Sequence, residues 1–242
     1  MVKMLVTRPT PEASETAARL SALDIDAVVE PLLVMNVLPT GLPRAEGFAA
    51  LAVTSGNALR ALHERGELPR FLNLPVYTVG DRTAELARGY GFAEVVSARG
   101  NLQALVTLLA QAGIGGPVLY PAAREQAGDL ARALAPHGVM AITTAVYEMV
   151  PASRLSETTL GELANGAIAA ALFYSRRTAE AFIALTGGLR DKEKLAMLCL
   201  SEAVAAPLLA AHFVRVGLAD HPSEEAMLGL ALSFARDRSG MR

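Results

Sequence analysis

Tryptophan is absent from the 242-residue chain, aromatic residues make up only 5%, and there is a single cysteine, Cys199. So few rings leave no base-stacking platform for single-stranded nucleic acid. One thiol can form neither an intramolecular disulfide nor a cysteine-cluster metal site. Its place in an apolar stretch marks Cys199 as a small core residue. Basic residues number 22 and acidic ones 24, for a net charge of −2 without any basic block. Nucleic acid is therefore not an expected partner. The four histidines, His63, His137, His212 and His221, are scattered without ligand spacing, so no metal site is expected. No uninterrupted apolar run is long enough to span a membrane. Met1 to Val6 leads straight into a strand without signal-peptide character, so the expectation is a cytoplasmic protein with no membrane partner. Glycine-rich signatures are missing too. Gly80-Asp81-Arg82-Thr83 lacks phosphate-loop spacing, and Gly113-Ile114-Gly115-Gly116 precedes a strand instead of following one.

What is abundant is apolar: 52% of residues are hydrophobic against 19% charged, which supports a large core. Short β-branched runs alternate with helical patterns along the chain. Met4 to Thr7 reads as a first strand, followed by a helix with Thr10 as N-cap, Pro11 at its first position, and Ala17, Leu20 and Leu23 on one face. Ala49 to Thr54, Val76 to Val79, Glu94 to Val96, Pro117 to Tyr120, Val139 to Ala145, Ile168 to Tyr174, Leu195 to Leu200 and Val214 to Val216 are further strands. Most of them lead into helices. Gly80 is expected to supply a sharp turn and Asp81 to cap the helix beyond it. Asn101 is expected to cap the helix that runs to Ala112, and one helix is expected from Pro121 to about His137.

Two extended, proline-bounded stretches interrupt the pattern, Pro31 to Pro39 and Val146 to Pro151. They predict crossings between domains. The expectation is two similar α/β domains, each a doubly wound, flavodoxin-like parallel sheet of about five strands, joined by a two-stranded β-ladder. Residues 1–37 with 149–242 would form one domain and 40–145 the other, with linkers near 33–40 and 145–151.

The strand-to-helix corners can be overlaid. Val53-Thr54-Ser55-Gly56-Asn57 matches Phe173-Tyr174-Ser175-Arg176-Arg177. Val79-Gly80-Asp81-Arg82-Thr83 matches Leu200-Ser201-Glu202-Ala203-Val204, and Leu5-Val6-Thr7-Arg8-Pro9 matches Leu119-Tyr120-Pro121-Ala122-Ala123. Parallel sheets bind ligands outside the carboxyl ends of their strands. The candidate binding residues there are Arg8, Ser55, Asn57, Gly80, Arg82, Thr83, Arg124, Ser175, Arg176 and Ser201. Hydroxyls, helix-start amides and guanidinium forks together suit an anion. Taken alone, each arginine is an ordinary solvated side chain. Taken together, arginines at helix starts, where the dipole disfavours them, call for a compensating anion. Tyr147, in the second proline-bounded stretch, is either a packing residue of the connector or a hydrogen-bond and proton donor.

With these corners in this order, the sequence resembles the uroporphyrinogen-III synthase family. The matching stretches are Val6-Thr7-Arg8-Pro9, Val53 to Ala58, Val79 to Ala84, Val118 to Pro121, Val146-Tyr147, Phe173-Tyr174-Ser175 and Leu200-Ser201-Glu202. The resemblance implies two α/β domains around a cleft and a lyase that needs no cofactor. It also implies the substrate, the linear tetrapyrrole hydroxymethylbilane, dehydrated and closed to uroporphyrinogen III with ring D inverted in tetrapyrrole and heme biosynthesis. The family reaction loses the ring A hydroxyl to give an azafulvene, and then passes through a spiro intermediate. By position Tyr147 assists hydroxyl departure, Thr83 is a cleft threonine, and Ser55 and Ser175 are corner serines. Ala203 and Val204 depart from the threonines common at their corner, and Arg176-Arg177 is more basic than usual. The expected partners are the substrate and, in transient contact, the hydroxymethylbilane synthase that makes it, with the protein itself monomeric. The alternative is a non-enzymatic two-domain binder of a small anion.

Overall fold

Strands that are apolar on both faces need helices on both sides, and the chain supplies them in alternation. The computed structural model describes residues 1–126, 128–189 and 191–240. β1 (Val2–Val6) leads through α1 (Glu12–Ser21) to β2 (Ile25–Val29), and the chain then leaves along β3 (Leu33–Val37). β4 (Ala50–Val53), α2 (Gly56–Glu64), β5 (Val76–Thr78), α3 (Asp81–Gly89) and β6 (Val95–Ser97) follow. After α4 (Leu102–Gln111), β7 (Val118–Ala123) and α5 (Leu130–Leu134), the chain returns along β8 (Ala141–Pro151). α6 (Glu157–Ala164), β9 (Ile168–Phe173), α7 (Arg176–Leu185) and β10 (Ala196–Cys199) come next. α8 (Glu202–Ala210), β11 (Val216–Leu218) and α9 (Glu224–Gly240) complete the order. The chain divides into two compact units, Met1–Val34 with Val150–Arg242, and Met35–Met149.

In the first unit the sheet order is β11-β10-β9-β1-β2, and each pairing is parallel. Strand alternation splits its residues between two cores. Met4 and Val6 pack with Leu172 and Leu198, and with Leu20 of α1 and Met227 of α9. Leu5 faces the other way, toward Phe173, Phe182, Cys199 and Phe213. There Phe182 meets Phe173 edge-on at 5.2 Å between ring centres and lies 6.0 Å from Phe213. Burial pushes the Cys199 thiol up to about 12, which leaves it chemically inert.

In the second unit the order is β3-β8-β7-β4-β5-β6. From β8 to β6 the pairings are parallel. β3 runs against β8: the Leu38 amide donates to the Val146 carbonyl at 2.9 Å, while the Ala152 amide donates to Leu32 at 3.0 Å. The two proline-bounded stretches are thus neighbouring strands. Because β8 also pairs with β7, they form the edge of a six-stranded sheet rather than a ribbon on its own. The corner overlay maps β1 onto β7, β9 onto β4 and β10 onto β5. Under that mapping the order β2-β1-β9-β10-β11 becomes β8-β7-β4-β5-β6, so the second sheet is a permuted copy of the first.

Local details differ from the sequence-based expectation. Pro11, not Thr10, holds the N-cap position of α1, and no side chain caps that helix. Its buried residues are Ala13, Thr16 and Leu20, one step round from the expected face. Asp81 does not cap α3 but is its first residue, where its charge still suits the dipole. Gly80 sits at the cap with φ −140°, an extended angle open to any residue, and a Cβ there would meet nothing within 4 Å. The turn therefore does not depend on glycine. Gly91 and Gly138, at φ +96° and +72°, do occupy the left-handed region that favours it. β7 continues through Pro121 to Ala123, so no helix starts there and α5 is short. α6 was not anticipated at all. Asn101 caps α4 as expected, accepting from the Ala104 amide at 3.1 Å.

Phe182 is fully buried between two other rings. Phe182→Ala should cost about 3–5 kcal/mol, read as a lowered midpoint of chemical denaturation.

Candidate active site

At the carboxyl edge of the second sheet, β4 ends in Thr54-Ser55 and α2 begins. Ser55 is the N-cap of α2 and accepts from the Asn57 amide at 3.3 Å. Asn57 is fixed in turn: its Oδ1 accepts from Arg60 at 2.7 Å, and its Nδ2 lies 3.8 Å from the Met149 sulfur. Facing this corner is β8. Its register against β7 slips between Ala122 and Ala123, with Ala145 opposite Ala122 but Tyr147 opposite Ala123. The extra residue, Val146, is a bulge. Side chains on a strand alternate, so without the bulge Tyr147 would share a face with Ala145. With it, Tyr147 joins the core that contains Leu59 and Leu62 of α2, together with Val146.

The Tyr147 phenol is buried. Burial raises its pKa above the ordinary tyrosine value, and the nearby Ser55 hydroxyl works against that rise. The group therefore keeps its proton at neutral pH and can only donate it to something placed beside it. Tyr120, on β7, is also buried and also raised, chiefly by burial. Its hydroxyl lies 3.0 Å from Thr54 Oγ1. Tyr120 and Thr54 were not among the sequence candidates, although both sit in the quoted corners. Arg124 lies just past β7. Its amide donates to the Tyr147 carbonyl at 2.8 Å, and its guanidinium pairs with Glu148 at 2.5 Å. Glu148 also accepts from Asn36 at 2.9 Å. Ser55, Asn57, Arg124 and Tyr147 thus meet around one strand end. Gly80, the exposed Arg82 and the half-buried Thr83 open α3 on the next corner, where α2 and α3 pack together.

The first unit gathers its own set. Arg8, past the end of β1, stacks on the Tyr174 ring at 4.1 Å and pairs with Glu224 at the start of α9. Thr16 donates to the other oxygen of that carboxylate at 2.7 Å. Tyr174 is pushed up to about 12, first by burial and then by the charge of Glu224. No sequence signal could have shown the Arg8–Glu224 pair, whose members are 216 residues apart. Ser175 caps α7 by accepting from Thr178, while Ser201 occupies the N-cap of α8 without a side-chain cap bond. Arg176 pairs with Glu180 at 2.8 Å, one turn along its helix. The anion that its helix-start position called for is therefore the protein's own. Among the described residues no cluster could hold a metal ion, and no helix is long and apolar enough to cross a membrane.

The sheets, with polar corners along their carboxyl edges, define an α/β protein of the class whose ligands bind outside the carboxyl ends of its strands. Residues 14–229 match the family described as uroporphyrinogen-III synthase HemD, and the chain belongs to that family. The uroporphyrinogen-III synthetase of Helicobacter pylori has a similar fold, with a TM-score of 0.67 at 23% identity over 97% of this chain and 100% of the other. A mutant uroporphyrinogen III synthase from Thermus thermophilus is also similar, with a TM-score of 0.54 at 18% identity over 99% of this chain and 100% of that one. No individually curated protein matches the chain significantly in sequence.

A phenol whose pKa rises on folding favours the neutral, folded state. That stability is complete below pH 10 and is lost as the pH climbs toward about 12 for Tyr174. Tyr174→Phe should therefore flatten the alkaline limb of the denaturation curve. An unchanged alkaline limb would show that this phenol is not held neutral.

Proposed function

We propose that the chain converts hydroxymethylbilane to uroporphyrinogen III with inversion of ring D. The observation that carries this reading is the buried Tyr147 phenol, set against Ser55 at the sheet's carboxyl edge in a chain of this family. In the reaction, the C–O bond of the ring A hydroxymethyl group breaks. Its oxygen takes the Tyr147 proton and leaves as water, and the pyrrole nitrogen lone pair completes an azafulvene cation. The substituted carbon of ring D attacks that cation to give a spiro intermediate. This fragments and recloses in the inverted sense, and the proton lost as the last ring regains aromaticity returns to the phenolate. Dehydration and closure thus leave the enzyme unchanged.

The substrate's acetate and propionate groups suit what the corners offer. Helix-start amides at Ser55 to Asn57, Gly80 to Thr83, Ser175 to Arg176 and Ser201 carry a positive dipole end and hydroxyl donors. Arg8, Arg124 and Arg176, already steadied by Glu224, Glu148 and Glu180, present oriented donors at little entropic cost. The main task is orientation, bringing the substituted carbon of ring D to the cation in place of the free one. We place this work in a monomeric cytoplasmic protein that takes its substrate from hydroxymethylbilane synthase by transient contact.

Freshly generated hydroxymethylbilane should yield uroporphyrinogen III. Uroporphyrinogen I alone, formed at the spontaneous rate, would refute the assignment and favour a non-catalytic anion binder. Tyr147→Phe should lower turnover by about 10²-fold or more in a protein that remains folded, whereas wild-type rates would remove Tyr147 from the chemistry.

A further inference from the structure

The two sheets are permuted copies, so a bond made at one corner and missing from its equivalent is not demanded by the fold. In the second unit Tyr120 is 3% exposed, and its hydroxyl lies 3.0 Å from Oγ1 of Thr54, the residue just past β4. Leu119 is the register partner of Leu51, so Tyr120 stands one step further along and leans toward the strand end to reach Thr54. In the first unit the overlay puts Val6 in the place of Tyr120 and Tyr174 in the place of Thr54. Val6 is fully buried and has no polar side-chain atom, and the Tyr174 hydroxyl has no hydrogen-bond partner among the described residues. Ser175 still caps α7 there, as Ser55 caps α2. The corner thus forms with or without a bonded pair of hydroxyls. A phenol is costly to bury where a valine serves the fold equally well, so the pair in the second unit calls for another reason.

Burial decides the direction of that bond. Either oxygen could donate, but Tyr120 is enclosed whereas Thr54 is half-buried at the carboxyl edge. Were Thr54 the donor, the phenol hydrogen would be shut in without an acceptor. With Tyr120 donating, the phenol hydrogen is spent on Thr54 Oγ1, and the Thr54 hydrogen is left to give outward. Burial also raises the Tyr120 pKa, which keeps the phenol a donor at neutral pH. We propose that Thr54 is a further carboxylate-binding residue and that Tyr120 is the positioning residue that aims its hydroxyl. The ligand class follows from the surroundings. Thr54 adjoins the opening of α2, whose free amides favour negative charge, and an ionised carboxylate accepts hydrogen bonds without giving any. In the order Tyr120 O–H to Thr54 O–H to carboxylate, each donor strengthens the next. That the carboxylate is a side chain of hydroxymethylbilane rests on the function proposed above, but the pairing of the hydroxyls does not.

Tyr120→Phe removes the phenol hydroxyl and keeps its ring in the core. Thr54→Val removes the hydroxyl that Tyr120 aims, and Thr54→Ser retains it. Two quantities are measured on the full-length protein: KM and kcat with hydroxymethylbilane, and Kd for uroporphyrin III, the oxidised macrocycle that bears the same carboxylate side chains. Thr54→Val should raise both KM and Kd about tenfold, and Tyr120→Phe should raise them about threefold. In each case kcat should hold, the pattern of an interaction made equally before and during reaction. Thr54→Ser should match the wild type. In the Thr54→Val background the Tyr120 substitution should add nothing, because it acts only through Thr54. A phenol that merely supports the core would lower the denaturation midpoint in both backgrounds and leave KM and Kd where they were, and that result overturns the inference. Shifted Kd values in a protein that forms no uroporphyrinogen III would uphold the pair and refute the function. Uroporphyrinogen III formed with KM and Kd unchanged in every variant would refute the pair alone. A protein that neither binds the macrocycle nor closes hydroxymethylbilane would refute both.

Discussion

A parallel sheet must be covered on both faces, because its strands offer no polar side to water. Helices can cover it only by right-handed crossovers, and those bring each strand to end at the same edge of the sheet. Everything functional follows from that constraint. In both units the apolar strands, such as Met4 to Val6 and Ala50 to Val53, are fully buried, and the polar residues collect just beyond their carboxyl ends. The candidate residues were never selected one at a time. They are what remains when a chain of this composition folds this way.

The edge is charged, but its cations are not bare. Arg8, Arg124 and Arg176 each have a carboxylate of the protein beside them. An unpartnered guanidinium on a semi-buried edge would be poorly ordered and prone to close on a neighbouring carboxylate. Arg8, with 21% of its side chain exposed, is the most firmly held of the three, while Arg124 and Arg176 are 59% and 67% exposed and pair at the surface. The contrast between the two units lies in their hydroxyls. The Tyr174 ring lies under Arg8 and its buried hydroxyl has no hydrogen-bond partner among the described residues, whereas the Tyr147 phenol sits in the core beside α2.

Much of this was legible in sequence, for a physical reason. The corner overlay worked because a strand end, a cap and a helix start are local chemistry, written within half a dozen residues. With β1 matched to β7, the two sheet orders agree as a permutation, which the overlay alone did not state. What sequence could not carry were the non-local partners. The Arg8–Glu224 pair joins the two ends of the chain, and the bulge at Val146 exists only in the register of β8 against β7. The errors at Thr10 and Asp81 are of another kind. Both residues are good caps, but a neighbour took the position, Pro11 in one case and Gly80 in the other. α6 went unnoticed because Glu157 to Ala164 is short, and only Thr159 and Leu163 are buried.

The adjacency of β3 and β8 bears on how such a chain can be made. The second unit, Met35–Met149, is continuous in sequence, whereas the first is interrupted by it. On a ribosome, β1 and β2 emerge early but cannot complete their sheet until β9 has been synthesised. Left as flexible chain, the intervening segment would add closure entropy that grows with the logarithm of its length. Once folded, it delivers its two ends side by side on hydrogen-bonded strands. The long insertion then behaves as a tight turn. Order along the chain and completeness of the sheets therefore differ: the middle segment holds every strand of its own sheet, whereas the first sheet needs strands from both ends of the chain.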